Sequence, residues 1–198
     1  MNQKNLLEVD WSKIPAPTDD GAAAHLVGMT IPEVSLVATD DSAVMLSALP
    51  GRVVVFAYPR TGEPGKISLV DDWDMIPGAR GCTPQTCSFR DLFAELKAAG
   101  AAQVFGLSTQ SNAYQTEMAS RLHLPFPVLS DEKLELTRAL DLPTMQVAGL
   151  TLIKRLALIV DHGRIVHVFY PVFPPDRNAG DVLQWLKENP AVQPRRVG

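Results

Sequence analysis

The chain has 198 residues, 46% hydrophobic and 20% charged, close to the globular average, which excludes a disulfide-stapled miniprotein, wholesale disorder and a fibrous repeat. A formal net charge of -4 and an isoelectric point near 5.5 offer no basic face for phosphate neutralisation, so nucleic acid is not an expected partner. No stretch approaches the roughly twenty consecutive apolar residues of a membrane span, and the N-terminal MNQKNLLEVDWSKIPAPTDD has no apolar core behind a basic start, so the cytoplasm is the expected location.

Residues 1–28 mix Pro, Asp, Ala and Gly without a sustained period and read as an arm that lies on the surface or packs as one short element. From Thr30 to Leu49, two short apolar stretches flank the polar turn ATDDSA, as in a hairpin. Val53 to Tyr58 is a continuous β-branched and aromatic run closed by Pro59, the pattern of a strand buried on both faces of a parallel or mixed sheet. A loop rich in Gly, Pro and Asp then runs from Gly62 to Gly81, a length that in a compact domain usually carries function. Trp73 within it is a candidate lid anchor.

Phe89, Leu92, Phe93 and Leu96 fall at i, i+3, i+4 and i+7, and Gly100 ends the stripe, so one helix is predicted here. Proline is tolerated only in a first turn, which starts that helix near Thr83 or Pro84. AAQVFGLST reads as a strand, and Tyr114, Met118 and Leu122 behind a capping Ser111 read as a helix. FPVLS is a short strand, SDEKLELTRALDL a helix capped by Ser130, and RLALIVDHGRIVHVFYPV two strands joined by a tight turn at His162 and Gly163. AGDVLQWLKEN is the final helix before Pro190. Helices alternating with strands, with hairpins at the start and near the end, predict one α/β domain over residues 1–198, a mixed sheet with helices on both faces. His25, His123, His162 and His167 share no metal-ligand spacing, and no metal site is predicted. FYPVFPPDR is apolar and Pro-rich, fit for packing or for a dimer face, which leaves a monomer and a homodimer both open.

The only two cysteines, Cys82 and Cys87, lie five positions apart. Two thiols clustered in a reducing compartment point to redox chemistry, whereas the competing reading is a pair of inert core thiols, since free cysteine is among the most buried residue types. A thiol reacts as its thiolate, a form favoured at a helix N-terminus, where Cys82 is predicted to sit with Arg80 just before it. In an ideal helix, i and i+5 stand roughly 8 to 9 Å apart at Cα, beyond the roughly 7 Å limit of a disulfide. Joining the two sulfurs therefore requires the first turns to unwind. Cys82 would be oxidised to a sulfenic acid in the wound helix, and Cys87 would attack that sulfur in the unwound one.

The segment GCTPQTCSFRD resembles the active-site stretch of peroxiredoxins of the Q or bacterioferritin-comigratory type, in which Cys-Thr opens the motif and a second Cys follows five residues on. A strand ending in Tyr-Pro before it, and TLIKRLALIVDHGRIVHVF after it, extend the resemblance over roughly residues 28 to 187. It implies a thioredoxin-like fold, a central mixed sheet flanked by helices with an N-terminal hairpin extension, and reduction of hydrogen peroxide or organic hydroperoxides. It makes Cys82 the peroxidatic and Cys87 the resolving cysteine, with Arg155 as the arginine beside the peroxidatic sulfur and Gln85 as its orienting partner. It implies recycling by thioredoxin or a similar dithiol, and neither metal nor organic cofactor.

This sequence departs from the family pattern at one point. The usual Pro and Thr, seven and three residues before the first cysteine, are Met75 and Ala79 here. Pro59 and Thr61 stand instead directly after the strand, as though residues 62–81 had been inserted. Thr61 is therefore the expected peroxide-orienting hydroxyl, with Thr83 in reserve and Pro59 shielding the sulfur. A redox sensor or interaction module switched by the same Cys82–Cys87 oxidation is the alternative function. A thiol-disulfide oxidoreductase is disfavoured because the five-residue offset lacks Cys-x-x-Cys geometry.

Overall fold

A computed structural model describes residues 9–191. The polar turn joins β1 (Ser35–Ala38) to β2 (Ala43–Met45) in antiparallel register, with Leu36 opposite Val44. β3 (Arg52–Ala57) is buried at every position because successive side chains serve two cores. Val53, Val55 and Ala57 join one cluster, while Val54, Phe56 and the following Tyr58 join the other.

The predicted helix after the cysteines is divided. α1 (Cys82–Asp91) and α2 (Phe93–Ala98) are separated at Leu92, whose backbone leaves helical geometry at φ -99° and ψ 10°. Each half then buries its own anchor, Phe89 and Leu96. β4 (Gln103–Ser108) pairs in parallel with β3, α3 (Asn112–Arg121) follows, and Ser111 caps it by accepting from the Tyr114 amide. β5 (Val128–Ser130) is parallel to β4.

The next helix is shorter than predicted and differently capped. α4 is confined to Glu135–Ala139, because residues 131–134 make a turn that ends with Leu134 at φ 59°. Ser130 belongs to β5, and its hydroxyl donates to the Gln110 carbonyl. The buried Asp131 carboxylate takes the capping role, accepting from the amides of Leu136 and Thr137 at 3.1 and 2.7 Å.

A hairpin absent from the sequence reading comes next, β6 (Thr144–Val147) and β7 (Leu150–Ile153), turning through Ala148 and Gly149 at positive φ. β8 (Leu156–Asp161) pairs antiparallel with β3 and then with β9 (Arg164–Phe169) through a turn in which His162 and Gly163 have φ 47° and 76°. α5 (Asn178–Glu188) closes the order.

The main sheet runs β2-β1-β5-β4-β3-β8-β9, mixed in sense. Helices cover both faces: α1, α2, α3 and α5 contribute Phe89, Leu96, Met118 and Val182 to one core, whereas Leu136 of α4 and Leu26 of the N-terminal segment enter the other. This is the α/β, thioredoxin-like architecture expected. Residues 62–81 are held by a third, smaller cluster in which Trp73 and Ala79 pack with Val147 and Leu152 of the β6–β7 hairpin.

Candidate active site

Gly81 precedes α1 at φ 102°, a left-handed conformation that a side chain would strain. The helix therefore begins abruptly, and its first residue is Cys82, 3% exposed. Phe89, two turns on, stacks on Phe56 of β3 with ring centroids 4.0 Å apart and planes within 5°. That contact seats α1 against the sheet, a ring pair worth about 0.5–1.5 kcal/mol beyond the area it buries.

Arg155 lies between β7 and β8, only 2% exposed, with its side chain directed at the start of α1. Its Nη2 donates to the Cys82 sulfur at 3.2 Å and to the carbonyls of Gly78, Ala79 and Arg80 at 3.2, 3.3 and 3.1 Å. Its Nη1 donates to Gln85 Oε1 at 2.5 Å. One guanidinium thus gathers the end of the 62–81 loop and the sulfur around itself. A donor aimed at sulfur binds the anion more strongly than the thiol, because charge-assisted hydrogen bonds are about twice as strong as neutral ones. The Cys82 thiol in turn donates to the Ala79 carbonyl at 3.5 Å. Arg155 Nε is buried and has no partner, a donor left unused on the same group.

Cys82 opens on a cleft of about 30 Å³, lined also by Arg60, Thr61, Trp73, Arg80 and Thr83. A volume of that size holds one or two water-sized groups, which matches a pair of oxygen atoms. Thr61 is 1% exposed; its amide and hydroxyl both donate to Gln110 Oε1, at 2.9 and 3.1 Å. Thr61 and Thr83 thus both reach the cleft. Pro59 is buried beside Tyr58 and is not among the lining residues; Pro84 and Trp73 are. Met75, where the family pattern has proline, is 63% exposed, and Ala79, where it has threonine, is fully buried and acts through its carbonyl.

Cys87 is 6% exposed in the same helix as Cys82, and both are free thiols. Burial pushes the Cys87 thiol above its ordinary value of 9.0, so the wound helix holds it protonated and away from solvent. Burial likewise pushes the Tyr58 hydroxyl well up, with the charge of the adjacent Cys82 adding to it, and that hydroxyl donates to Gln115 Oε1 at 3.0 Å.

Two residues of this site were not found by sequence reasoning. Gln110 holds Thr61 from the end of β4, and Asn178 at the start of α5 accepts from Gln85 Nε2 at 2.9 Å. Neither lies in a motif or at a periodic position. Among the described residues, no three His, Cys, Asp or Glu side chains are grouped as a metal site.

The redoxin family model matches residues 26–183. The chain is 32% identical over 162 residues to the chloroplastic peroxiredoxin Q of Oryza sativa subsp. japonica, which covers 81% of this chain and 66% of the relative's length. It is 32% identical over 167 residues to peroxiredoxin Bcp of Escherichia coli, covering 82% of this chain and 96% of that protein. The crystal structure of peroxidoxin BcpB from Mycobacterium tuberculosis superposes with a TM-score of 0.66 at 24% identity, over 83% of this chain and 98% of that one. The matched region contains both cysteines, Arg155 and the whole 62–81 segment, and the chain belongs to the redoxin family, among the peroxiredoxins of the Q and Bcp kind.

Proposed function

We propose that the protein is a thiol-dependent peroxidase that reduces hydrogen peroxide or organic hydroperoxides. The observation that carries this most directly is the 3.2 Å contact from Arg155 Nη2 to the Cys82 sulfur at the mouth of α1. In the first step the Cys82 thiolate attacks one peroxide oxygen, the O–O bond breaks, and the alkoxide or hydroxide that leaves takes up a proton as ROH or water. Arg155 donates to the oxygens as charge builds on the leaving one, and Thr61 orients the hydroperoxide. Cys82 is left as a sulfenic acid.

In the second step the first turns of α1 unwind and the Cys87 sulfur attacks that of Cys82. The S–S bond forms, and the sulfenic oxygen leaves as water with the proton that Cys87 gives up. An external dithiol such as thioredoxin then reduces the disulfide, which closes the electron balance: two electrons enter from the dithiol and leave in the peroxide. The cycle suits a reducing compartment, and we assign it to the cytoplasm. No helix among the described residues is long and apolar enough to cross a membrane.

The test is peroxide consumption with a thioredoxin system, with mass spectrometry on the protein after one equivalent of peroxide. Turnover is expected to vanish in Cys82→Ser, and Cys87→Ser is expected to accumulate a dimedone-reactive sulfenic acid at Cys82. Full turnover in Cys82→Ser would remove the assignment. A single stoichiometric oxidation without recycling would make the protein a redox-switched module instead.

A further inference from the structure

Arg155 Nη2 divides two protons among three backbone carbonyls and the sulfur. The fixed point is Nη1, held by Gln85 Oε1 at 2.5 Å, and Gln85 is in turn held by Asn178 at 2.9 Å. All three side chains are essentially buried: Arg155 is 2% exposed, Gln85 0% and Asn178 1%. The direction of each bond is forced. A guanidinium only donates, so Gln85 must turn its oxygen to Arg155 and its NH2 to Asn178, which must answer with Oδ1. The consequence is that Asn178 Nδ2 is buried without a partner. Reversing the Asn178 amide would set two NH2 groups against each other and leave Gln85 Nε2 unpaired, so the orphaned nitrogen lies at the end of the chain of bonds, where it disturbs least.

From this geometry we infer that Asn178 is a positioning residue for the peroxide step: through Gln85 it holds the Arg155 guanidinium against the Cys82 sulfur. The inference rests on the peroxidase reading and adds a condition to it. Gln85 makes the first helical bond of α1, its amide donating to the Gly81 carbonyl at 3.0 Å. Unwinding that turn withdraws Gln85 from both neighbours, so the alignment exists only while the helix is wound. The site is aligned for peroxide in the wound state and dismantled in the state that forms the disulfide.

Asn178→Leu removes the acceptor at similar volume, Asn178→Ser draws the acceptor oxygen back by one bond, out of reach of Gln85, and Asn178→Asp keeps an oxygen in place. In single-turnover oxidation by hydrogen peroxide, the Leu and Ser variants are expected to be slowed about tenfold and the Asp variant to remain within about threefold of the natural protein. Reduction of the oxidised form by dithiothreitol is expected to keep its rate in all three, a split that a general loss of stability would not produce. In a Gln85→Ala background, Asn178→Ser is expected to add nothing. Losses that add, or that affect both half-reactions alike, would overturn the relay, as would a folded Ser variant with undiminished oxidation. Should the natural protein prove unreactive to peroxide, the peroxidase reading fails. The relay is then judged from iodoacetamide alkylation of Cys82 at pH 7, where the same tenfold loss and the same non-additivity are expected and their absence refutes it.

Discussion

Thr61 has one hydroxyl proton, and Gln110 Oε1 takes it at 3.1 Å. What the hydroxyl presents to the rest of its surroundings is lone pairs, so in the proposed peroxide step it would accept the O–H of an entering hydroperoxide while Arg155 donates to the oxygens. Thr83 lines the same cleft from the second position of α1. Thr61→Val, which keeps the shape and deletes the hydroxyl, is expected to slow single-turnover Cys82 oxidation ten- to hundredfold, corresponding to about 1.5–3 kcal/mol for one hydrogen bond to a charged centre. Thr83→Val is expected to stay within about threefold; the opposite ranking would transfer the role to Thr83. The two candidates were legible because Thr61 follows the strand and Thr83 follows the cysteine, and both positions are local. Gln110 and Asn178 were not, because each matters through one contact across the fold: Gln110 to Thr61 at a separation of 49 residues, Asn178 to Gln85 at 93. No periodicity or spacing encodes such a pair.

Among the elements, the first turn of α1 is the one that the proposed cycle requires both to hold and to yield. A Cβ on Gly81 would stand 2.6 Å from Trp11 and 2.6 Å from Pro175, so the arm and the segment before α5 close on the helix mouth from both ends of the chain. Trp11 is fastened there by donating its indole N–H to Asp176 at 2.9 Å and by an edge contact with Phe173 at 6.0 Å. Trp11 lies outside residues 26–183, the span matched by the family model, whereas its partners Phe173, Pro175 and Asp176 lie inside it. Trp11→Ala is expected to quicken disulfide formation after a peroxide pulse about fivefold, equivalent to about 1 kcal/mol of lost contact in the wound state, with the peroxide step unchanged. Quenched-flow mass spectrometry separates the two steps; a slower disulfide would count against the clamp. The strands of the main sheet and the start of α1 were readable because each has a strong period or an unambiguous breaker, whereas the break at Leu92 has neither. The β6–β7 hairpin was not: Thr144–Val147 and Leu150–Ile153 are short, and their turn is Ala148-Gly149 rather than Asn-Gly. The α4 boundary was missed for a related reason, since Ser130 and Asp131 are both good capping residues and tertiary placement of Ser130 in β5 decided between them.

At the scale of the molecule, strand order was beyond the sequence because it depends on which strands meet, whereas the two-faced burial of β3 was visible in its unbroken apolar run. Where the edge strand β9 meets α5, the packing also carries a charge constraint. His167 stacks on Trp185 with ring centroids 5.0 Å apart and planes 19° from parallel, and the Arg52 guanidinium lies 5.4 Å from the same indole. Burial holds His167 below its ordinary 6.5. The unfolded chain therefore takes up the proton first as pH falls, so folding stability rises with pH across the window below 6.5 and its loss is complete once pH has dropped past the folded value. Asp20, held below the usual carboxylate range by Lys154 and Tyr170, acts in the same direction but only as pH falls below 3.8. His167 is half-buried, so solvent screening keeps its share small. Between pH 7.5 and 5 the natural protein is expected to lose roughly 2 °C more in Tm than His167→Phe, whose ring preserves the stack and cannot charge. Parallel melting curves for the two proteins across that range would show that the strand–helix seam carries no such penalty.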